Sequence, residues 1–230
     1  MYLLALESTA NLAGVALVHS GKLMGAVQIA HGQNLSGNLL HATEWLLNRH
    51  GLSREAIRAV AVDVGPGAFT GLKIGVMIAK TLAHALNLDL VGVSAFEACA
   101  CVMPEGTPTL VALPARRDAL YVQWLLPKPI PEPLSQPAMV LQHALSAWLE
   151  QTTPATEGYQ AIGSPRARGW LEPLMPALRW RMIEAPPPEG VAQVGWARWQ
   201  AGGRTSPFQM VPFYLQPPSI TPPGTRARTP

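Results

Sequence analysis

The stretch Asp63-Val-Gly-Pro-Gly-Ala-Phe-Thr-Gly-Leu-Lys-Ile-Gly75 limits the fold more than any other part of the chain. Ahead of it, Ala59 to Val64 alternates Ala and Val and reads as a buried strand. Behind it, residues from about Thr70 to Leu86 keep a helical apolar period. A glycine-rich turn therefore joins a strand directly to a helix, as α/β folds require. Glycine permits positive φ and close backbone approach, and a helix start presents N–H groups that lack intrahelical partners. Two phosphate-binding patterns can be tested on the segment. A P-loop needs G-x-x-x-x-G-K-[ST], but Leu72 precedes Lys73 and Ile74 follows it. A dinucleotide turn needs G-x-G-x-x-G, but after Gly65 and Gly67 the third position is Thr70. The spacing leaves a tight turn and a nucleotide site both open, and favours the turn.

The flanking pattern supplies the rest of the first half. Tyr2 to Glu7, Ala13 to His19 and Leu23 to Ala30 read as three strands, with turns at Ser8–Asn11 and Ser20-Gly21. Short connections make them an antiparallel meander. Leu35 to His50 switches to a helical period, Ser53 with Glu55 starts a short helix, and Leu88 to Val93 is a further strand. The order βββαβα(β) fits a ribonuclease-H-like unit with mixed strand directions. In the second half, Thr109 to Leu113 and Ala119 to Leu126 read as strands around Ala115-Arg116-Arg117-Asp118. Leu141 to Glu150 reads as a helix, Tyr159 to Gly163 as a strand and Gly190 to Ala201 as a helix. Residues 1–98 and 99–216 are the expected lobes, the last helix being free to pack back on the first. The Pro-rich stretch 217–230 is expected to be a disordered tail.

Composition excludes several functions. The 230 residues are 48% apolar but only 13% charged, and the net charge is +3. Wholesale disorder is excluded. Thirteen of the seventeen cations are Arg and they are scattered, so the charge argues at most for weak, salt-dependent contact with RNA. Cys99 and Cys101 form neither a disulfide framework nor a C-x-x-C motif, and are expected to be buried thiols. No apolar run reaches the ~18 residues that a membrane helix needs. Met1 to Val18 carries Glu7 and the first cation is Lys22, so a signal peptide is not expected. A cytoplasmic location follows as the expectation.

Candidate site residues fall into two groups. Glu7, Ser8 and Thr9, at the end of the first strand, face the loop residues Gly65, Pro66, Gly67, Phe69, Thr70 and Gly71 as a nucleotide-loop-like set. Glu7 is suited to a metal-bound water, although an acid at a strand end is more often simply solvated. The second group is a helical surface. Gly71, Gly75, Ala79 and Ala83 are four apart and form a small-residue stripe, where another backbone must come close. Packing against the chain's own sheet is the plainer reading. Lys73, Met77 and Lys80 lie on another face and, with Leu39 and Leu40, compose a two-helix surface; Gly75 joins them as a close-approach point. No paired histidines, G-x-S-x-G elbow or catalytic cysteine signature is present. No catalytic residue, metal site or cofactor is therefore assigned.

Three segments together resemble the TsaB (YeaZ) family: Leu4-Ala-Leu-Glu-Ser-Thr9, Gly65-Pro-Gly-Ala-Phe-Thr-Gly-Leu-Lys-Ile-Gly75, and Ala115-Arg-Arg-Asp-Ala-Leu-Tyr121. Val211-Pro-Phe-Tyr-Leu-Gln216 adds a late match. Ala68, Lys73 and Gln216 replace the family's Ser, Arg and Arg. Glu7 stands where Asp is usual, and Leu35 where many members carry His. The resemblance implies an actin/hexokinase-like (ASKHA) fold of two ribonuclease-H-like subdomains. It implies a cytoplasmic, non-catalytic partner and activator of the TsaD transferase, in threonylcarbamoyladenosine modification of tRNA beside the anticodon. TsaD holds a metal with paired histidines on the helix equivalent to Leu35–His50, where this chain has only His41. The TsaE ATPase is a further implied partner, a homodimer is an expected form, and tRNA would be met only through the complex. The alternative is an ATP-dependent phosphotransferase or ATPase of the same fold class.

Overall fold

The computed structural model describes residues 1–215 apart from 31, 33 and 157. The tail expected at 217–230 lies outside the described residues. Strands β1 (Tyr2–Glu7), β2 (Leu12–His19) and β3 (Lys22–Ala30) form the antiparallel meander. Helix α1 (Leu35–Arg49) then leads to β4 (Ile57–Asp63), α2 (Phe69–Ala85) and β5 (Asp89–Val93). Sheet order is β3-β2-β1-β4-β5, with β1, β4 and β5 parallel. Register pairs Leu6 with Val62, so the acids ending β1 and β4 finish side by side.

Alternation divides the core into layers. Leu4, Leu6, Val60 and Val62 point to one face and are covered by α1 and α2. Leu3, Ala5, Ala59 and Ala61 point to the other. Their small side chains let a late helix, α6 (Pro188–Gln200), lie close; a Cβ on Gly195 would stand 2.4 Å from that of Ala61. The last helix thus packs on the first sheet.

The second half repeats the plan. After α3 (Ala95–Cys101) come β6 (Thr109–Pro114), β7 (Ala119–Leu126), β8 (Glu132–Pro133), β9 (Ala138–Leu141), α4 (Leu145–Thr152), β10 (Gln160–Gly163), α5 (Pro165–Leu171) and β11 (Arg179–Met182). Sheet order is β11-β10-β6-β7-β8, with β9 also on β7 and β10 parallel to both neighbours. Two sheets with matching strand order make the actin/hexokinase-like α/β architecture.

Several expectations need correcting. The helix expected from Leu141 starts at Leu145, because Ala138–Leu141 pairs with β7 and a 3₁₀ turn intervenes. The short helix expected near Ser53 is a 3₁₀ turn over Arg54–Ala56. Of the two thiols expected to be buried, Cys99 is, but Cys101 is half-exposed beside Gln193 Oε1 at 3.5 Å. Among the described residues, no helix is long and apolar enough to cross a membrane.

Candidate functional site

The ends of β1 and β4 carry a pair of carboxyl groups. Glu7 and Asp63 are both wholly buried. Glu7 was expected to be solvated; the turn after β1 closes over it instead. Its Oε1 accepts from Thr9 N at 2.6 Å and from Thr9 Oγ1 at 2.5 Å. Asp63 Oδ1 accepts from Gly65 N at 2.7 Å. The other oxygens, Glu7 Oε2 and Asp63 Oδ2, are buried with no hydrogen-bond partner. Burial pushes the Glu7 carboxyl up to about 7, against the Thr9 bonds that favour its charge. Burial, and then the charge of Glu7, hold Asp63 well above the usual carboxylate range. Two carboxyls in one dry site resist double ionisation, so the pair keeps a proton at neutral pH.

Ser8 and Thr9, directly beyond Glu7, fill the space that the glycine loop leaves. Ser8 Oγ donates to Gly71 O at 3.0 Å, and Thr9 O accepts from Ala68 N at 2.7 Å. A Cβ on Gly67 would lie 2.5 Å from Thr9, on Gly71 1.9 Å from Ser8 O, and on Gly75 2.1 Å from Ser8 Oγ. The glycine half of the stripe, Gly71 and Gly75, therefore admits the chain's own β1–β2 turn, while Ala79 and Ala83 pack in the core against the sheet. Gly65 has φ +110° and is followed by a cis bond to Pro66. Its carbonyl accepts from Ala95 N at 2.8 Å, which ties the loop to α3.

Above the turn, a cleft of about 310 Å³ separates the two sheets' loops. Thr9, Asn11, Pro66, Gly67 and Ala68 line one side; Leu113, Tyr121, Ser164, Glu184 and Pro186 are on the other. Among the described residues, Glu184 is the one charged residue on its wall, and no Lys or Arg lines it. The nucleotide-loop-like set is thus brought together, except that Phe69 and Thr70 are exposed on α2 beyond the cleft wall. Phe69 lies under Lys73 Nζ, 4.0 Å from its ring centroid. Among the described residues, no group of three or more His, Cys, Asp or Glu is placed to hold a metal.

The two-helix surface divides. Leu40 is 46% exposed and Met77 is 61% exposed, and Lys73 reaches solvent between them in sequence. Lys80 is half-buried and its Nζ donates to Met210 O at 3.0 Å. Leu39 and Gly75 do not belong to the surface. Leu39 is wholly buried under α1, about 100° round the helix from Leu40, and Gly75 faces Ser8. Trp45 on α1 is 57% exposed but lies about 140° round the helix from Leu40, on the flank away from the Thr43 and Leu47 side that meets α2, so it is not part of this surface.

Comparison with known proteins agrees with the fold. The family model for TsaD, tRNA N6-adenosine threonylcarbamoyltransferase, matches residues 27–125. TsaB, the tRNA threonylcarbamoyladenosine biosynthesis protein, of Bacillus subtilis (strain 168) is 31% identical over 100 residues, 44% of each chain. Its Escherichia coli (strain K12) counterpart is 30% identical over 128 residues, 53% of each chain. YeaZ from Pseudomonas aeruginosa superposes with TM-score 0.78 at 24% identity, covering 93% of this chain and 99% of the other. The chain is similar to TsaB (YeaZ) proteins in sequence over about half its length and in fold. The matched region spans about half the length of those curated relatives. A ROK hexokinase from Thermus thermophilus shares the fold more distantly, with TM-score 0.54 at 12% identity over 87% of this chain and all of the other.

Within this TsaB-like frame, the residue that sequence reasoning passed over is Asp63. It was quoted as the start of the loop but not as a site residue. The available signal was that it closes an apolar strand with an acid, as Glu7 does. The pairing of the two depends on the parallel register of β1 and β4, which only the fold supplies.

Proposed function

We propose that this chain is a non-catalytic subunit in tRNA threonylcarbamoyladenosine formation, docking a TsaD-class transferase through α1 and α2. The observation that carries the reading is the occupation of the glycine loop from within. Ser8 and Thr9 stand where a bound phosphate would need room, and two carboxyls lie beneath them. A cleft with an acidic wall and no cation is poorly suited to a triphosphate. That weighs against the phosphotransferase alternative. The outer side of α1 and α2 meanwhile shows Leu40 and Met77 to solvent, apolar groups of the kind that mark a protein interface. The transferase model matches residues 27–125, which contain both helices, and this supports a related helix pair on the transferase. Two such faces can meet in a pseudo-symmetric pairing. The same geometry supports self-association when the transferase is absent. The TsaE ATPase and tRNA would be met in the assembled complex.

Co-expression with the transferase subunit of the same organism, followed by size-exclusion chromatography, tests the reading. A stable complex buries roughly 1,200–2,000 Å². Co-elution is expected, and Leu40→Asp with Met77→Asp should abolish it. The reading fails if the two proteins elute apart, or if the purified chain alone modifies tRNA at an enzymatic rate.

A further inference from the structure

The segment Arg204–Leu215 follows α6 and returns along the first sheet's outer side. Thr205 N donates to Leu90 O at 2.8 Å, and Phe213 N to Val64 O at 2.6 Å. Between them, Met210 turns inward and its carbonyl accepts from Lys80. The Phe208 ring stands edge-on to His84 at 5.6 Å, and the Tyr214 ring lies 5.2 Å from Phe69. Partners on α2 fall in number, from 84 through 80 to 69, as the segment's own numbers rise. It is therefore a strap running antiparallel to α2 along its flank.

The strap is anchored by backbone bonds, yet two of its apolar side chains face water. Phe208 is 81% exposed and Val211 is 68% exposed. They border the stripe Lys73–Met77–Lys80–His84, whose spacing of four, three and four puts it on one side of α2. Neither α2 nor the strap contains an Asp or Glu; their charges are Lys73, Lys80 and Arg204, with His84 beside them. Arg204 is paired with Asp89 at 3.4 Å and Lys80 is bonded to Met210 O, which leaves Lys73 as the lysine beside the ridge that reaches solvent. An apolar ridge with such a cation complements an apolar helix that carries carboxylates along its edge.

We propose that the strap is part of the docking surface. Phe208 and Val211 extend the apolar patch of Met77 across α2, and Lys73 receives a carboxylate from an amphipathic helix of the transferase subunit. This inference rests on the function proposed above and adds to it a second contact zone outside α1 and α2. Exposed aromatic and aliphatic groups that become buried are where binding energy concentrates.

The test measures affinity of the full-length chain for the transferase subunit by calorimetry, with thermal melts alongside. Phe208→Ser with Val211→Asp should weaken binding at least about tenfold with an unchanged melt. If the pair lowers the melt, Phe208→Ala and Val211→Ser replace it singly, and each should still weaken binding. Lys73→Gln should lower affinity and flatten its salt dependence. Met77→Asp separates the two claims. If it abolishes binding while the strap variants bind as wild type, the strap inference is wrong and the two-helix reading stands. If Met77→Asp itself binds as wild type, both are wrong.

Discussion

Replacing Glu7 with Gln removes one ionisable proton from a wholly buried position, and its effect on stability must depend on pH. The folded carboxyl is pushed up to about 7 from an ordinary value of 4.5. Because the folded value is the higher one, the contribution is fully present below pH 4.5. It falls as the unfolded chain ionises and is exhausted once pH has risen through 7. A gap of about two and a half pKa units is worth about 3 kcal/mol. Gln keeps an oxygen for the Thr9 N–H and hydroxyl and carries no charge, so the variant lacks this loss. At pH 4.5 the two proteins should be nearly equal in stability. At pH 8 the variant should be the more stable by about 2–3 kcal/mol, the lower figure allowing for an amide N–H without a partner. For a chain of this size that is a melting temperature higher by about 4–12 °C. Thermal or urea unfolding of both proteins from pH 4.5 to 8.5 gives the difference curve, in which groups that titrate alike cancel. A difference that stays flat between pH 5 and 8 would refute the buried, proton-retaining pair. So would a Gln variant that becomes relatively less stable as pH rises.

Gly71→Ala should cost about 1–3 kcal/mol in urea unfolding, because the new methyl would stand 1.9 Å from the Ser8 carbonyl oxygen; an unchanged midpoint would mean that the turn does not sit on α2. Ser94→Ala should cost about 1 kcal/mol by the same measure, since Ser94 caps α3 reciprocally with Glu97. Calorimetry with ATP and Mg²⁺ should show no tight binding, and micromolar affinity lost on Glu7→Ala would favour the phosphotransferase reading instead.

What the sequence disclosed, and what it hid, follows from how local each signal is. The meander and the β4–α2–β5 unit were legible because period, glycine turn and length agree within a few residues. Helix α3 was missed although Ser94-x-x-Glu97 is a capping box, since its seven residues complete too few turns to show a period. Helix α5 had a comparable hint in Ser164-Pro165. Strand β11 alternates as Arg-Trp-Arg-Met, but over only four residues at a sheet edge, the shortest run in which alternation marks a strand. Leu39 and Gly75 were placed outside for want of the helix's rotation relative to the sheet. A stripe of glycines says only that something comes close, and here it is Ser8.

The two regions of the molecule are linked by α2. Its first turn holds the β1–β2 turn through Ala68 and Gly71, its middle offers Lys73 and Met77 to solvent, and its flank carries the strap. The strap in turn reaches Val64, one residue after Asp63 and one before Gly65. The β1–β2 turn, the glycine loop and the strap are thus all attached to the helix proposed to dock. A rigid connection of this kind explains why a chain with an internally filled glycine loop would keep that loop: its glycines set the depth at which Ser8 seats α2, and so the position of Met77. Moving Ser8 by a bulkier substitution should shift α2 and weaken docking without touching the exposed face. Ser8→Val, which removes the bond to Gly71 O and crowds Gly75, should therefore lower transferase affinity in calorimetry along with stability. Wild-type affinity in a folded Ser8→Val protein would show that the loop and the docking face are independent.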